Sequence, residues 1–298
     1  MIPFWGNFKL NKKMKIIIFA ILIGFILNVN FTSGAFSLVV GATYDFEVVK
    51  SKWSLTDGPN SGTGTGLMFG GNPFPVGTTF ETEVVSVIPL SVDYQIDVDG
   101  NTAINTDDDS DTSHLYNFLF YPYLLYGGIG GWDQAEIEMG PPFLFELFFL
   151  EPAAFGVYFQ NLEDHYATLT LNPFWTINQI SANYDTTSSN AVFDWVFNTM
   201  LNDTICDQFF QGTYYVKVAF STATGELLGY RLQMDYAGHN SANELNFEME
   251  QLVKQTNYEL DGFYYSAGEV PGFQWITVLP VLFFSSLIII IKKKHRKY

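Results

Sequence analysis

Tyr214-Tyr215-Val216-Lys217-Val218-Ala219-Phe220 alternates apolar and polar or small residues, then Thr224-Gly225 marks a turn. The chain resumes with Leu228, Tyr230, Leu232, Met234 and Tyr236 at every second position, with Arg231, Gln233 and Asp235 between them. Side chains of a β-strand point alternately to opposite faces, so a period of two with one apolar set is the signature of a half-buried strand. Leu245, Phe247 and Met249 repeat the pattern against Asn246, Glu248 and Glu250. Together these residues predict a three-strand antiparallel meander with one wet face.

Working outward, Val40-Gly41-Ala42-Thr43-Tyr44-Asp45-Phe46-Glu47-Val48-Val49 and Val76-Gly77-Thr78-Thr79-Phe80-Glu81-Thr82-Glu83-Val84-Val85 are alike, and both read as strands. They are either an internal duplication or two equivalent strands of one fold. Val87 to Val98 is expected to continue as strand, with a hairpin turn at Asp99-Gly100. Asp57 to Gly77, with Gly62-Thr63-Gly64-Thr65-Gly66, reads as a flexible loop; it is no nucleotide loop, because no Gly-Lys-Ser/Thr follows. Ala191 to Leu201 is expected to be a helix: Val192, Phe193, Val196, Phe197 and Met200 fall on one helical face, and Ser188 or Ser189 can cap its start. For Phe174 to Ile180 the pattern leaves helix and strand open. The fold class is therefore mainly β, an antiparallel sheet of half-barrel or sandwich type, with one or two short helices and a C-terminal transmembrane helix.

The charges are segregated. Of 298 residues, 31 are acidic, all of them between Asp45 and Glu269. The basic residues there are Lys50, Lys52, Lys217, Arg231 and Lys254, so 5 basic against 31 acidic residues leaves a formal charge of −26. Such a surface repels phosphate backbones and argues against nucleic acid as a partner.

The other nine basic residues flank apolar runs. Lys9, Lys12, Lys13 and Lys15 precede Ile16 to Leu27, and small residues follow at Ser33, Gly34 and Ala35. Charged, apolar and small regions in that order are the pattern of a secretory signal, read here as residues 1–35 with cleavage after Ala35; an uncleaved anchor is the alternative. Phe273 to Ile291 is an uncharged run long enough to span the hydrocarbon core at about 1.5 Å per residue. Lys292-Lys293-Lys294-His295-Arg296-Lys297 follows, which places the C-terminus in the cytosol and the acidic segment 36–268 outside, joined through a short linker, 269–272.

Pro271-Gly272-Phe273, an apolar helix and a basic end resemble the PGF-type C-terminal sorting signal of archaeal surface proteins. The resemblance covers about 30 residues. It implies removal of the helix by an archaeosortase and attachment to a lipid. The long Thr-rich stalk usual before such signals is replaced here by Ser266-Ala267-Gly268-Glu269-Val270, and retention as an ordinary anchor is the alternative. Phe220 to Leu227 also resembles the hairpin of lipoprotein half-barrels that carry lipids.

Candidate sites are few. Asp107, Asp109 and Asp111 have the spacing of calcium-loop ligands, with Asp97, Asp99 and Asn105 close enough in sequence to help. Thr112 and Phe118 stand where an EF-hand has Gly and Glu, so the alternatives are a weak Ca2+ site or a solvated acidic loop. Leu115 to Phe159 is densely aromatic, and reads either as core or as the wall of a cavity for an apolar, lipid-like ligand. His114, His165 and His239 are scattered, no G-x-S-x-G occurs, and the carboxyl pairs Glu146/Glu151 and Glu136/Glu138 are what any acidic chain offers. Cys206, the single cysteine, is expected to be a buried apolar residue. Asn202-Asp203-Thr204 is a glycosylation sequon. The sequence thus points to a membrane-anchored surface protein with a non-catalytic binding or structural ectodomain whose partner is an extracellular protein, a glycan or a lipid. A carrier or sensor of an apolar ligand and a calcium-binding module are the alternatives, and no catalytic residue is assigned.

Overall fold

The computed structural model describes residues 36–89, 91–108, 144, 147–160, 175–241 and 243–264. The chain divides into two units, Met1–Asp261 and Gly262–Tyr298, and every strand lies in the first. The leader 1–35, the linker 269–272, the span 273–291 and the tail 292–298 fall outside the described residues, among which no helix is long and apolar enough to cross a membrane.

Among the described residues there are twelve strands: β1 (Thr43–Asp57), β2 (Asn60–Thr65), β3 (Leu67–Phe69), β4 (Asn72–Phe74), β5 (Thr79–Ile88), β6 (Ser91–Val98), β7 (Asn101–Asp108), β8 (Trp175–Thr186), β9 (Asn190–Asp203), β10 (Gln208–Ser221), β11 (Leu227–Asn240) and β12 (Asn243–Gln255). Ten of them form one antiparallel sheet in the order β7-β6-β5-β1-β12-β11-β10-β9-β8, with β2 paired to the far half of β1; β3 and β4 form a separate hairpin. The meander is β10-β11-β12, with Tyr214 opposite Met234 and Met234 opposite Met249. At Asp99-Gly100 both φ angles are positive, 53° and 79°, the backbone a two-residue hairpin between right-twisted strands requires.

The inner face of the sheet carries Phe46, Phe80, Val84, Tyr94 and Ile96 from one end and Phe193, Trp195, Tyr214, Tyr230 and Tyr236 from the other. It is covered by Leu144 and the aromatic segment 147–160. Leu147, Phe148, Phe149 and Leu150 are buried, a 3-10 turn follows at Pro152–Ala154, and residues 155–160 are helical. Phe148 meets the rings of Phe46, Phe80 and Tyr94, Phe149 meets Tyr44 and Tyr94, and Phe159 stacks on Phe193.

Several expectations are corrected. Ala191 to Leu201 is part of strand β9 and not a helix. Ala191, Phe193, Trp195, Phe197 and Leu201 enter the main core, while on the other side Val192 packs beside Ala219, Leu228 and Leu260. A strand buried on both faces loses its alternation, and a run of apolar residues then matches a helical period by chance. Ser188 and Ser189 cap nothing helical; they lie in the β8–β9 turn, where the Thr187 amide donates to Asn190 O and the Asn190 amide to Thr187 Oγ1. Phe174 to Ile180 resolves as strand from Trp175 onward.

Val87 to Val98 is two strands rather than one, folded back at Pro89 so that Ile88 faces Ser91. Proline has no amide to give a ladder, which makes it a stop inside a strand. The Gly-rich stretch is strand β2 rather than a flexible loop: the Trp53 indole lies over Gly64, where a Cβ would sit 2.8 Å from Nε1. Leu228 leaves the face of Tyr230 and Leu232. A bulge pairs Ala219 with Gly229 and Phe220 with Leu227, which turns Leu228 to the outer side against Leu260. That side is not fully wet, because Tyr258 and Leu260 pack on it and Arg231 Nη2 donates to Leu260 O.

Residues 148–150 of the covering segment are hydrogen-bonded to strands that stand far apart in the sheet order. Asp107, at the end of edge strand β7, is fully buried, and its Oδ2 accepts the amides of Phe148 (2.9 Å) and Phe149 (2.8 Å). Across the sheet, Leu227 N donates to Phe148 O (2.7 Å) and Leu150 N to Gly225 O (2.9 Å). Asp107→Ala leaves two buried amides without an acceptor. It is expected to lower the unfolding free energy of the detergent-solubilised chain by roughly 3 kcal/mol in urea titration, against less than about 0.5 kcal/mol for Asp93→Ala on the outer face. Equal small losses for both would show that the carboxylate does not hold the segment.

Candidate functional site

The inner face is where an open, curved sheet offers a ligand shelter. Here, within the described residues, it is core. The described part of the aromatic stretch occupies it, and the side chains of Phe148, Phe149, Phe155 and Tyr158 are buried to 2% exposure or less. Asp107 serves that packing: besides the two amides, its Oδ1 lies 3.3 Å from the Tyr94 hydroxyl, which donates to it. Asp109 and Asp111 lie outside the described residues. Of the residues expected to help, Asn105 is two positions from Asp107 on β7. Asp97 is on the opposite face and at the other end of β6, where its Oδ1 accepts the Gly100 amide of the turn. Among the described residues no group of three or more His, Cys, Asp or Glu side chains converges as a metal site.

The segment is latched by the hairpin that joins β10 to β11. Gly225 has φ +82°, and a Cβ there would stand 2.1 Å from Leu150 O, so the turn and the segment can approach only through glycine. Ser221 Oγ accepts the Ala223 and Thr224 amides and orders the turn. Glu226 forms a bridge with Phe149, and its Oε2 is buried without a partner. Burial therefore raises the Glu226 carboxyl above the ordinary glutamate range, against the opposing pull of its own backbone and the Ser221 hydroxyl. Beside it, burial and then the Glu226 charge push the Tyr44 phenol up to about 12.

The outer face of β5, β6 and the start of β1 is different. Register places Asp45 opposite Glu81 and Glu81 opposite Asp97, a row of carboxylates across three adjacent strands. Glu83 and Asp93 extend the same face by alternation. A shallow, open depression of about 450 Å³ is lined by Asp45, Thr79, Phe80, Glu81, Asp97 and Thr256. The five basic residues are engaged elsewhere. Lys50 and Lys52 meet Glu250 at 2.6 and 3.3 Å, Lys217 meets Asp194 at 3.3 Å, Lys254 meets Glu259 at 3.1 Å, and Arg231 is held at Leu260. Burial would raise the Glu250 carboxyl, but the two lysines outweigh it and hold the group below the ordinary range. Among the described residues the acidic row has no such cation. It attracts positive partners and repels anionic ones.

The pairing of the two similar segments was not legible in sequence. Phe46 faces Phe80, with Asp45 opposite Glu81 at the corresponding positions of the two copies. The flanking hydrogen bonds repeat: Gly41 N to Val84 O matches Gly77 N to Val48 O, both 2.8 Å, and Val84 N to Ala42 O matches Val48 N to Thr78 O, both 2.9 Å. The copies are thus related by a local twofold axis that runs through the acidic pair. Only the shared V-G-x-T motif hinted at it.

Nothing described elsewhere assembles a catalytic set. His239 is exposed and stacks on Phe209 at 6.0 Å; His114, His165, Glu136, Glu138 and Glu146 lie outside the described residues, and Glu151 is buried. Cys206 is exposed, not buried as expected, because the apolar run of β9 ends at Asp203 and the chain turns in solvent. Burial nudges the Asp203 carboxyl up, but the amides of Cys206 and Ile205 outweigh it and hold the group below its ordinary value. The same carboxylate accepts from the thiol and repels a thiolate, which raises Cys206 above the ordinary cysteine value and away from reactivity. Comparison with protein-family models, with curated proteins and with solved structures finds no match for this chain.

Two outcomes follow from these charges. Like charges directly opposed on a sheet repel, so Glu81→Gln is expected to stabilise the protein by about 0.2–1 kcal/mol at low ionic strength, with the gain lost in 1 M salt. Thermal melts at two salt concentrations check it. Glu226 has a raised folded-state pKa, so the native state holds its proton longer, and stability falls as pH rises through the range from the ordinary glutamate value to the raised one. Glu226→Gln is therefore expected to stabilise at pH 7, by up to about 1 kcal/mol after allowance for solvent screening, and to give no gain at pH 4.

Proposed function

We propose that this chain is a membrane-anchored cell-surface protein whose ectodomain is a half-barrel with a non-catalytic binding or structural role. The observation that carries this reading is the division of labour between the two faces of the sheet. The inner face, where a carrier would hold an apolar ligand, is taken up by the chain's own Phe148, Phe149, Phe155 and Tyr158. The surface left for contact is the outer one, with its uncompensated row Asp45, Glu81 and Asp97. The half-barrel reading is preferred to a sandwich because, among the described residues, the layer on the inner face is an aromatic segment and not a second sheet of comparable size.

The topology part rests on the sequence: the signal-like residues 1–35, the apolar run Phe273 to Ile291 and the basic end after it. Contact with an extracellular partner then falls to the acidic face, and a cationic protein surface is the chemistry it suits. The carrier reading is the weaker of the two, since its ligand would have to displace core aromatics.

Fractionation tests the reading. The full chain is expected in the membrane fraction with its ectodomain open to protease on intact cells, and a chain ending at Gly268 in the medium. A truncated chain retained inside the cell would overturn it. Mass spectrometry of the membrane-bound form separates the two anchors: an intact C-terminus means a retained helix, and loss of the residues after Pro271 with an added lipid mass means sortase-type processing.

A further inference from the structure

The β9–β10 hairpin ends in the most solvent-exposed apolar side chain of the large hydrophobic residues in the described part, Ile205, at 81%. Around it Asn202, Thr204, Cys206 and Asp207 are exposed too. Asn202-Asp203-Thr204 is a sequon, and the hairpin sorts its three side chains. Asp203 points inward, and its Oδ1 accepts the amides of Ile205 (2.9 Å) and Cys206 (3.0 Å). Asn202 and Thr204 point outward, and neither side chain has a hydrogen-bond partner among the described residues. The amide that would accept a sugar and the hydroxyl a transferase must read are therefore presented together, with the intervening acid turned away.

The surface beside Asn202 has a place for a sugar. Asn202 is directly opposite Phe209, and Phe209 is directly opposite His239, so the three side chains share the outer face in one cross-strand row. Directly opposed side chains have Cβ atoms about 5 Å apart. The Phe209 ring is half-buried and stacked on the exposed His239. A sugar attached to Asn202 falls within reach of that aromatic ring, whose apolar surface the C–H face of a pyranose covers, and it screens Ile205.

From this arrangement we infer that Asn202 is an N-glycosylation site, with the first sugar seated by Phe209. The inference rests on the surface reading above, because the modification requires export. The donor is an oligosaccharide carried on a polyisoprenoid phosphate or pyrophosphate, supplied with its transferase by the cell. In the transfer a bond forms from Asn202 Nδ2 to the anomeric carbon as the bond from that carbon to the donor phosphate oxygen breaks. Nδ2 gives up one proton, the phosphate leaves with the electron pair, and no redox change occurs.

The test uses the full chain, produced in a host whose exported proteins carry Asn-linked glycans. The population accessible to protease on intact cells is isolated and weighed intact, then mapped with chymotrypsin, since no Lys or Arg lies between Lys52 and Lys217. A glycan mass on the peptide containing Asn202 is expected. It should be lost completely in Asn202→Gln and Thr204→Ala and kept in Thr204→Ser. Asn202→Gln also separates this site from Asn30-Phe31-Thr32, which lies in the leader. Phe209→Ala is expected to keep the glycan while removing the difference in melting temperature between glycosylated and bare protein. A surface-exposed population with bare Asn202 overturns the inference and leaves the surface reading standing. No surface-exposed population at all overturns the surface reading and this inference with it.

Discussion

The structure depends on hydrogen bonds made by a short piece of backbone in an apolar place. An open sheet with one apolar face needs a cover, and a cover that is not itself a strand brings unpaired amides and carbonyls into the core, at a cost of several kcal/mol each if left unmet. Residues 148–150 resolve this with partners from strands far apart in the sheet order. The Asp107 carboxylate takes the amides of Phe148 and Phe149, and the β10–β11 hairpin takes the Phe148 carbonyl and the Leu150 amide. With these bonds made, the aromatic side chains can fill the inner face from Phe46 and Tyr94 to Phe220. In the described residues Asp107 acts as a hydrogen-bond acceptor for two backbone amides, and Gly225 is required because the hairpin touches the segment at its carbonyl.

The distribution of charge follows from the sheet order. Every basic side chain among the described residues lies on β1, β10, β11 or β12, and each has found an oxygen: Glu250, Asp194, Glu259 or Leu260 O. None remains for the start of β1 and for β5 and β6, where register lines up Asp45, Glu81 and Asp97. The local twofold between the two similar segments makes that row unavoidable, because the acidic position of one copy is paired with the acidic position of the other. A surface kept at the expense of repulsion within the fold is the natural candidate for contact with a positively charged partner. The sequon hairpin, on strands at the other end of the sheet order, is a separate outer surface with an apolar character.

Single side chains carry much of this arrangement. Pro89 turns a would-be long strand into a hairpin, and one bulge between Ala219 and Phe220 turns Leu228 to the outer side, where Leu260 covers it. Trp53 over Gly64 lets a glycine-rich stretch hold a strand. Each is a local event that a sliding pattern of apolar and polar residues does not contain.

The sequence by itself determined the β class, the meander of β10 to β12, the Asp99-Gly100 turn and the segregation of charge, because alternation, turn chemistry and composition are local properties. It misread Ala191 to Leu201, since a strand covered on both faces has no alternation left, and it placed Cys206 inside because nothing local says where a buried strand ends. Only the tertiary structure decided that Asp107 faces inward to two amides, that the two similar segments pair with each other, and that Asn202, Phe209 and His239 share one outer row. Those facts depend on which strands become neighbours and in what register, and register is fixed by the packing of the whole sheet around its cover.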